Sequence, residues 1–240
     1  MKFKTLNTNV KLAFFFEALQ SFGRGIWMGN IFSLYVVIFV ENTGGMFGFT
    51  GNEILGITAG ASGIAMTAIV LPAGFLADKH LRQLMLRISA FVGILAMLCL
   101  ALANSIFMIL IAMLLWGAFQ GLTRPAFESI LADSLPSGNR SGVYAKLHLV
   151  QQFFMASGPF LNVILFLLLG DKWDISILKS VMLVGIIISL FSTFILFFFR
   201  DDRSMGEESE SLFHSVIQDE TEAAKTRPKQ PKHSRKVPRQ

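Results

Sequence analysis

The stretch Gly74-Phe75-Leu76-Ala77-Asp78-Lys79-His80-Leu81-Arg82 separates two long apolar runs, Ile54–Leu76 and Leu84–Ala103. Apolar runs of about 18 residues or more read as membrane-crossing helices. A carboxylate, a lysine, a histidine and an arginine packed between two such runs mark a short turn that faces water. Gly74 leaves room for a neighbouring helix to press close. Asp78 and Arg82 stand i, i+4 and can meet if the turn is helical.

Composition carries this reading to the whole chain. Of 240 residues, 53% are hydrophobic, 24 are Phe and only 15% are charged. A soluble domain carries about 25% charged residues. Mean hydropathy is +0.57. The single Cys99 lies in an apolar run, so no disulfide or metal framework is read. No small-residue cleavage site follows the first apolar run, so that run is read as a retained span.

Six spans are predicted: Leu12–Val40, Ile54–Leu76, Leu84–Ala103, Ser105–Leu131, Leu147–Leu169 and Leu178–Phe199. Backbone groups in hydrocarbon must be satisfied within the segment, so each is taken as a helix. The N-tail, the 77–87 loop, the 132–146 loop and the four residues after 199 hold ten Lys and Arg residues: Lys2, Lys4, Lys11, Lys79, Arg82, Arg87, Arg140, Lys146, Arg200 and Arg203. The opposite loops hold only Lys172 and Lys179. This bias predicts cytoplasmic termini. The fold class is therefore an all-α membrane protein, a bundle of six transmembrane helices over residues 1–200. It would sit as a multi-pass protein in a plasma or organelle membrane.

Residues 201–240 differ. Residues 201–222 hold eight acidic groups and one basic; residues 225–239 hold seven basic groups and no acid. Low hydrophobicity and blocks of charge predict a disordered charged cytoplasmic tail or linker. Its basic end could rest on anionic lipid. The net charge of +5 thus reflects a tail, and nucleic acid is not expected as a partner.

Polar residues inside the spans are the candidate site. Glu17, Gln20 and Arg24 fall at i, i+3, i+7, on one helical face. With Lys11 at the inner surface and about 1.5 Å per residue, Arg24 comes near mid-membrane. An arginine at that depth points at a cavity or a partner. Two readings stand: a Glu17–Arg24 pair that only stabilises the bundle, or a cavity arginine that meets an anionic solute group or a coupling carboxylate. Asn30 extends the polar content outward. Span four ends in Gln120-Gly121-Leu122-Thr123-Arg124-Pro125-Ala126-Phe127-Glu128, followed by Asp133. Pro125 should bend that helix, and Arg124 and Glu128 are spaced to pair. Span five carries His148, Gln151, Gln152, Gly158, Pro159 and Asn162. Such a histidine titrates near neutral pH when unperturbed, although it more often is a plain interfacial side chain.

The pattern Gly74-x-x-x-Asp78-Lys79-x-x-Arg82 resembles the loop motif between helices two and three of major facilitator superfamily transporters. The family usually has Gly before the Arg and a second basic residue after it; this chain has Leu81 and Gln83. The resemblance implies a cytoplasmic latch in which Asp78 and Arg82 meet Asp133, with Lys79 and Arg140 close by. The helix-four motif usually carries an Arg where this chain has Gly117, so that role is absent or moved to Arg124. Gly158-Pro159 is similar to the core of the antiporter motif on helix five. Two glycines usually follow; here Asn162 and Val163 stand there, so the chain only leans toward antiport. Spans three and six are nearly pure hydrocarbon, and the family places those helices outermost, facing lipid.

The resemblance implies secondary active transport of a small solute by alternating access, with proton coupling left open. Glu17, Arg24, Asn30, Gln120, Arg124, Glu128 and Gln151 are the candidate cavity residues. The family's transporters have two six-helix halves. This chain supplies one, so a fragment with a missing C-terminal half is expected, the alternative being a half that pairs with a second copy. A transporter-like sensor or scaffold is the reading from another class. No phosphate-binding loop, His-Glu-x-x-His or Gly-x-Ser-x-Gly occurs. An enzyme, a cofactor and a metal are therefore not expected.

Overall fold

The computed structural model describes residues 7–44, 48–77, 82–135, 140–170 and 172–201. They form seven α-helices: α1 (Thr8–Trp27), α2 (Asn30–Asn42), α3 (Gly51–Leu76), α4 (Arg82–Ala101), α5 (Ile106–Asp133), α6 (Arg140–Leu169) and α7 (Ile175–Ile195). Six segments are long and apolar enough to cross a membrane, because α1 and α2 together make one span, Thr8–Asn42. The six predicted spans all appear, with α6 starting seven residues before its predicted Leu147.

Local chemistry sets several helix starts. Asn7 accepts from the Asn9 amide at 2.9 Å. Thr50 and Glu53 make a reciprocal capping box, with Thr50 N–H donating to Glu53 Oε2 at 2.7 Å. Ser105 starts α5. Asp174 starts α7, accepting from the Ser176 amide and hydroxyl. Those two donors hold the Asp174 carboxyl below the usual carboxylate range. Gly170, at φ +120°, ends α6 in a conformation that favours glycine. Lys179 donates to the Ala103 carbonyl at 3.1 Å, placing a cation at the C-terminal end of α4.

The first span is not one continuous helix. It breaks at Met28–Gly29. Asn162 on α6 donates to the Ile26 carbonyl at 3.1 Å, supplying from a side chain the bond that an unbroken helix would take from its own backbone.

Each triplet of spans lends its leading helix to the other. α5 packs between α3 and α4, and α1 packs between α6 and α7. Glycines make these approaches possible. Gly25 and Gly158 sit backbone to backbone between α1 and α6. Pro159 has no N–H, which releases the Met155 carbonyl, and Gly25 lies against that oxygen. A β-carbon at Gly121 would stand 2.8 Å from the Met66 carbonyl of α3. Gly74 is different: the nearest side-chain atom, Pro125 Cβ, is 4.0 Å from where its β-carbon would be. A neighbour does face Gly74, yet the expected tight approach is absent and a methyl would fit.

The barest flanks are not those of spans three and six. Only 17% of the apolar window of α3 and 6% of that of α6 is buried, against 44–50% for the other four. α4 and α7 are outer helices on one side only. Leu84, Ile88, Phe91, Leu95 and Leu98 form one exposed stripe on α4, while its other face packs on α5 and α7.

Candidate functional site

A small chamber opens between α1, α5 and α6. Glu17, Gln20 and Arg24 reach it from α1, Gln120, Arg124 and Glu128 from α5, and Gln151 from α6. Phe16, Trp116, Phe119 and Phe127 supply apolar wall. The i, i+3, i+7 spacing on α1 and the i, i+4, i+8 spacing on α5 turn both polar rows the same way. Asn30 does not join them. It lies beyond the break at Met28–Gly29, in a separate groove.

The charges in the chamber are not locked in pairs. Among the described residues, neither Glu17–Arg24 nor Arg124–Glu128 lies within ion-pair distance, 4.0 Å. The i, i+4 pairing expected of Arg124 and Glu128 is therefore corrected. Arg24 Nε is buried and has no hydrogen-bond partner. Tyr144 donates to the Glu128 backbone carbonyl at 3.3 Å, and Gln152 donates to His148 Nε2 at 3.3 Å. Gln20 is held: Ser192 on α7 donates to its Oε1.

Gly117 explains why an arginine is missing from its expected place. The residue is buried against the Ser62 backbone of α3, and a β-carbon there would overlap the Ser62 carbonyl oxygen. No side chain fits at that position. Arg124, two helical turns on, brings a guanidinium to the chamber instead.

The basic end of the bundle carries a second polar cluster. Arg82 forms an ion pair with Asp133, and its Nη1 lies 4.0 Å from Asp201. Its Nε donates to the Ala77 carbonyl at 3.3 Å. Arg140 takes no part in this ion pair and donates instead to the Leu135 carbonyl at 3.3 Å. Asp78 and Lys79 lie outside the described residues. Sequence reasoning missed Asn9. Fully buried, it donates to Ser134 Oγ at 3.1 Å and to the Arg200 carbonyl at 2.8 Å. It thus ties the start of α1 to the ends of the fourth and sixth spans. The one signal for it is a polar side chain two residues after a helix cap.

A six-span bundle with a charged chamber between its leading helices is the architecture of a transporter half. The sequence profile of the Major Facilitator Superfamily matches residues 13–236, and the chain belongs to that family. It is an integral multi-pass membrane protein of the major facilitator transport type. A Na(+), Li(+), K(+)/H(+) antiporter of Planococcus maritimus is 26% identical over 199 residues. That match covers 81% of this chain and 43% of the relative, so the chain spans less than half the relative's length.

Proposed function

We propose that the chain works in secondary active transport of a small solute by alternating access, with the α1–α5–α6 chamber as its coupling site. The observation that carries this reading is the convergence of Glu17, Arg24, Arg124 and Glu128 on one chamber without ion pairing among them. Unpaired intramembrane charges are costly unless they serve a pathway. With both carboxylates ionised, the four charges cancel. Protonating Glu17 leaves a net positive chamber, which repels a cation; releasing that proton restores a carboxylate that attracts one. One site then serves a proton and a cation in turn, the logic of exchange. The similarity to a cation/proton antiporter supports this choice of coupling ion.

The Lys and Arg bias supports a cytoplasmic placement of the basic end. The Arg82–Asp133 ion pair, with Asp78 close by in sequence, is proposed as a latch on that face. The open flanks of α3 and α6 suit a second six-helix half or a second copy.

The test is proton flux in proteoliposomes that hold the product of the whole reading frame. Adding NaCl, LiCl or KCl outside should move protons, read by an internal pH dye. Glu17→Gln should abolish the movement while inserting normally. Exchange at the unmodified rate in Glu17→Gln would end this reading. Arg24→Gln separates cavity from scaffold: a cavity role predicts normal abundance with lost flux, not rescued by adding Glu17→Gln.

A further inference from the structure

Arg87 on α4 and Arg200, just after the 3-10 turn Leu196–Phe198 that follows α7, are both exposed. Among the described residues, neither guanidinium has an ion pair within 4.0 Å. The two stand at one level on neighbouring elements. Phe91 of α4 and Phe197 of the turn meet with ring centroids 5.1 Å apart, and α4 packs on both α7 and the turn. α4 starts at the basic end and the turn finishes there, since Arg82 pairs with Asp133 and its Nη1 lies 4.0 Å from Asp201. Arg87 lies four residues before Phe91, about 6 Å toward that end. Arg200 lies three residues past Phe197, a comparable step. Both cations therefore flank one seam, on the basic-end side of the ring pair.

The Arg200 backbone is clamped to the bundle. Asn9 donates to its carbonyl at 2.8 Å and accepts from its N–H at 3.4 Å. Phe199 beside it is fully buried, its ring 5.8 Å from that of Phe127. An arginine with a fixed backbone and an open side chain holds its place on the seam. Beyond the two cations, toward the middle of the span, the seam is edged by exposed apolar side chains, Phe91 and Leu95 on α4 and Phe194 on α7.

Cations at the end of a span, with an apolar wall running inward from them, match a phospholipid: the phosphate for the arginines, an acyl chain for the wall. A soluble anion would leave the wall uncovered, and a plain apolar helix would strand the two charges. A zwitterionic head group would bring its own cation against two guanidinium groups. From this we infer that the α4–α7 seam binds an anionic phospholipid, its phosphate between Arg87 and Arg200 and an acyl chain along Phe91 and Leu95. The guanidinium fork donates paired hydrogen bonds to phosphate oxygens, which suits arginine to this place. The seam belongs to α4 and α7, whereas the flanks that suit a second half are those of α3 and α6.

The test titrates the 240-residue chain in detergent with dioleoyl phosphatidylglycerol and reads lipid-bound species by native mass spectrometry. Dioleoyl phosphatidylcholine is the zwitterionic counterpart. Saturable binding of phosphatidylglycerol is expected, tighter than that of phosphatidylcholine. Arg87→Gln and Arg200→Gln should each weaken it about five-fold, the scale of one basic residue at a lipid surface. Lys146→Gln removes the same charge from an exposed position on α6 and should leave the affinity unchanged. The basic residues 225–239 are the same in every variant, so a loss belongs to the two arginines. Equal affinity for the two lipids overturns the proposal. So does a phosphatidylglycerol affinity that both arginine variants leave unmoved, or that Lys146→Gln lowers as much. Displacement of the lipid by millimolar inorganic phosphate would mark a free-phosphate site and overturn it too.

Discussion

Gly117 and Ser62 touch backbone to backbone, with no space for a β-carbon between α5 and α3. The contact fixes how closely the fourth span approaches the second. Gly117→Ala should push the two helices apart and cost about 1–3 kcal/mol, the usual range for overpacking. Gly63→Ala is the control, because nothing lies within 4 Å of its β-carbon position. Thermal unfolding in detergent should separate the two clearly. Equal midpoints for both variants would mean that the α3–α5 contact does not set stability.

Asn9 should matter more than its place near the start of the chain suggests. Asn9→Ala deletes hydrogen bonds to Ser134 and Arg200 and takes a donor from the buried Ser134 hydroxyl and from the Arg200 carbonyl. A loss of about 2 kcal/mol is expected. Ser134→Ala removes only one of those links and should cost less. The same unfolding assay ranks them, and a reversed order would show that Asn9 is not the joint.

The Arg82–Asp133 ion pair should respond to charge, not shape. Asp133→Asn should cost about 1–2 kcal/mol, since one partner is mostly shielded and the other is half open. Exchanging the two residues should recover part of the loss. Recovery that fails while Asp133→Asn itself is neutral would remove the pair from any account of the latch.

Orientation is tested with single cysteines after Cys99→Ala. Asn42→Cys and Gly142→Cys lie at exposed positions at opposite ends of the bundle. A membrane-impermeant thiol reagent should label Asn42→Cys on intact cells and Gly142→Cys only after permeabilisation. The reverse pattern would invert the proposed topology.

Much of this architecture is visible in the sequence because the bilayer enforces it. Six runs of adequate length could hardly be anything but spans. Polar residues stand out against such a background, which is why Glu17, Arg24, Gln120, Arg124, Glu128 and Gln151 could be picked out and the structure places them around one chamber. Asn30 went astray because spacing along a helix stops predicting direction where the helix breaks. At the break, the Ile26 carbonyl takes its hydrogen bond from Asn162, more than a hundred residues away. Local spacing also suggested pairs that do not form: Arg124 and Glu128 share a face and both line the chamber, but their side chains are not within ion-pair distance. Gly117 read as a missing arginine; only the packed partner shows that the position admits no side chain.

The exchange of leading helices between the triplets has a consequence for how the chain is made. α1 is synthesised more than a hundred residues before its principal neighbours in this bundle, α6 and α7. Until they arrive, Glu17 and Arg24 must wait in or beside the bilayer with no settled surroundings. α5 meets α3 and α4 soon after leaving the ribosome, so that trio can assemble early as a local unit. Within this bundle the order of synthesis therefore runs against the order of packing, and the ionisable α1 is enclosed after the α3–α4–α5 trio. Ribosome-stalled intermediates that end after α5 should hold a formed α3–α4–α5 cluster beside a first helix still open to protease and to insertion chaperones.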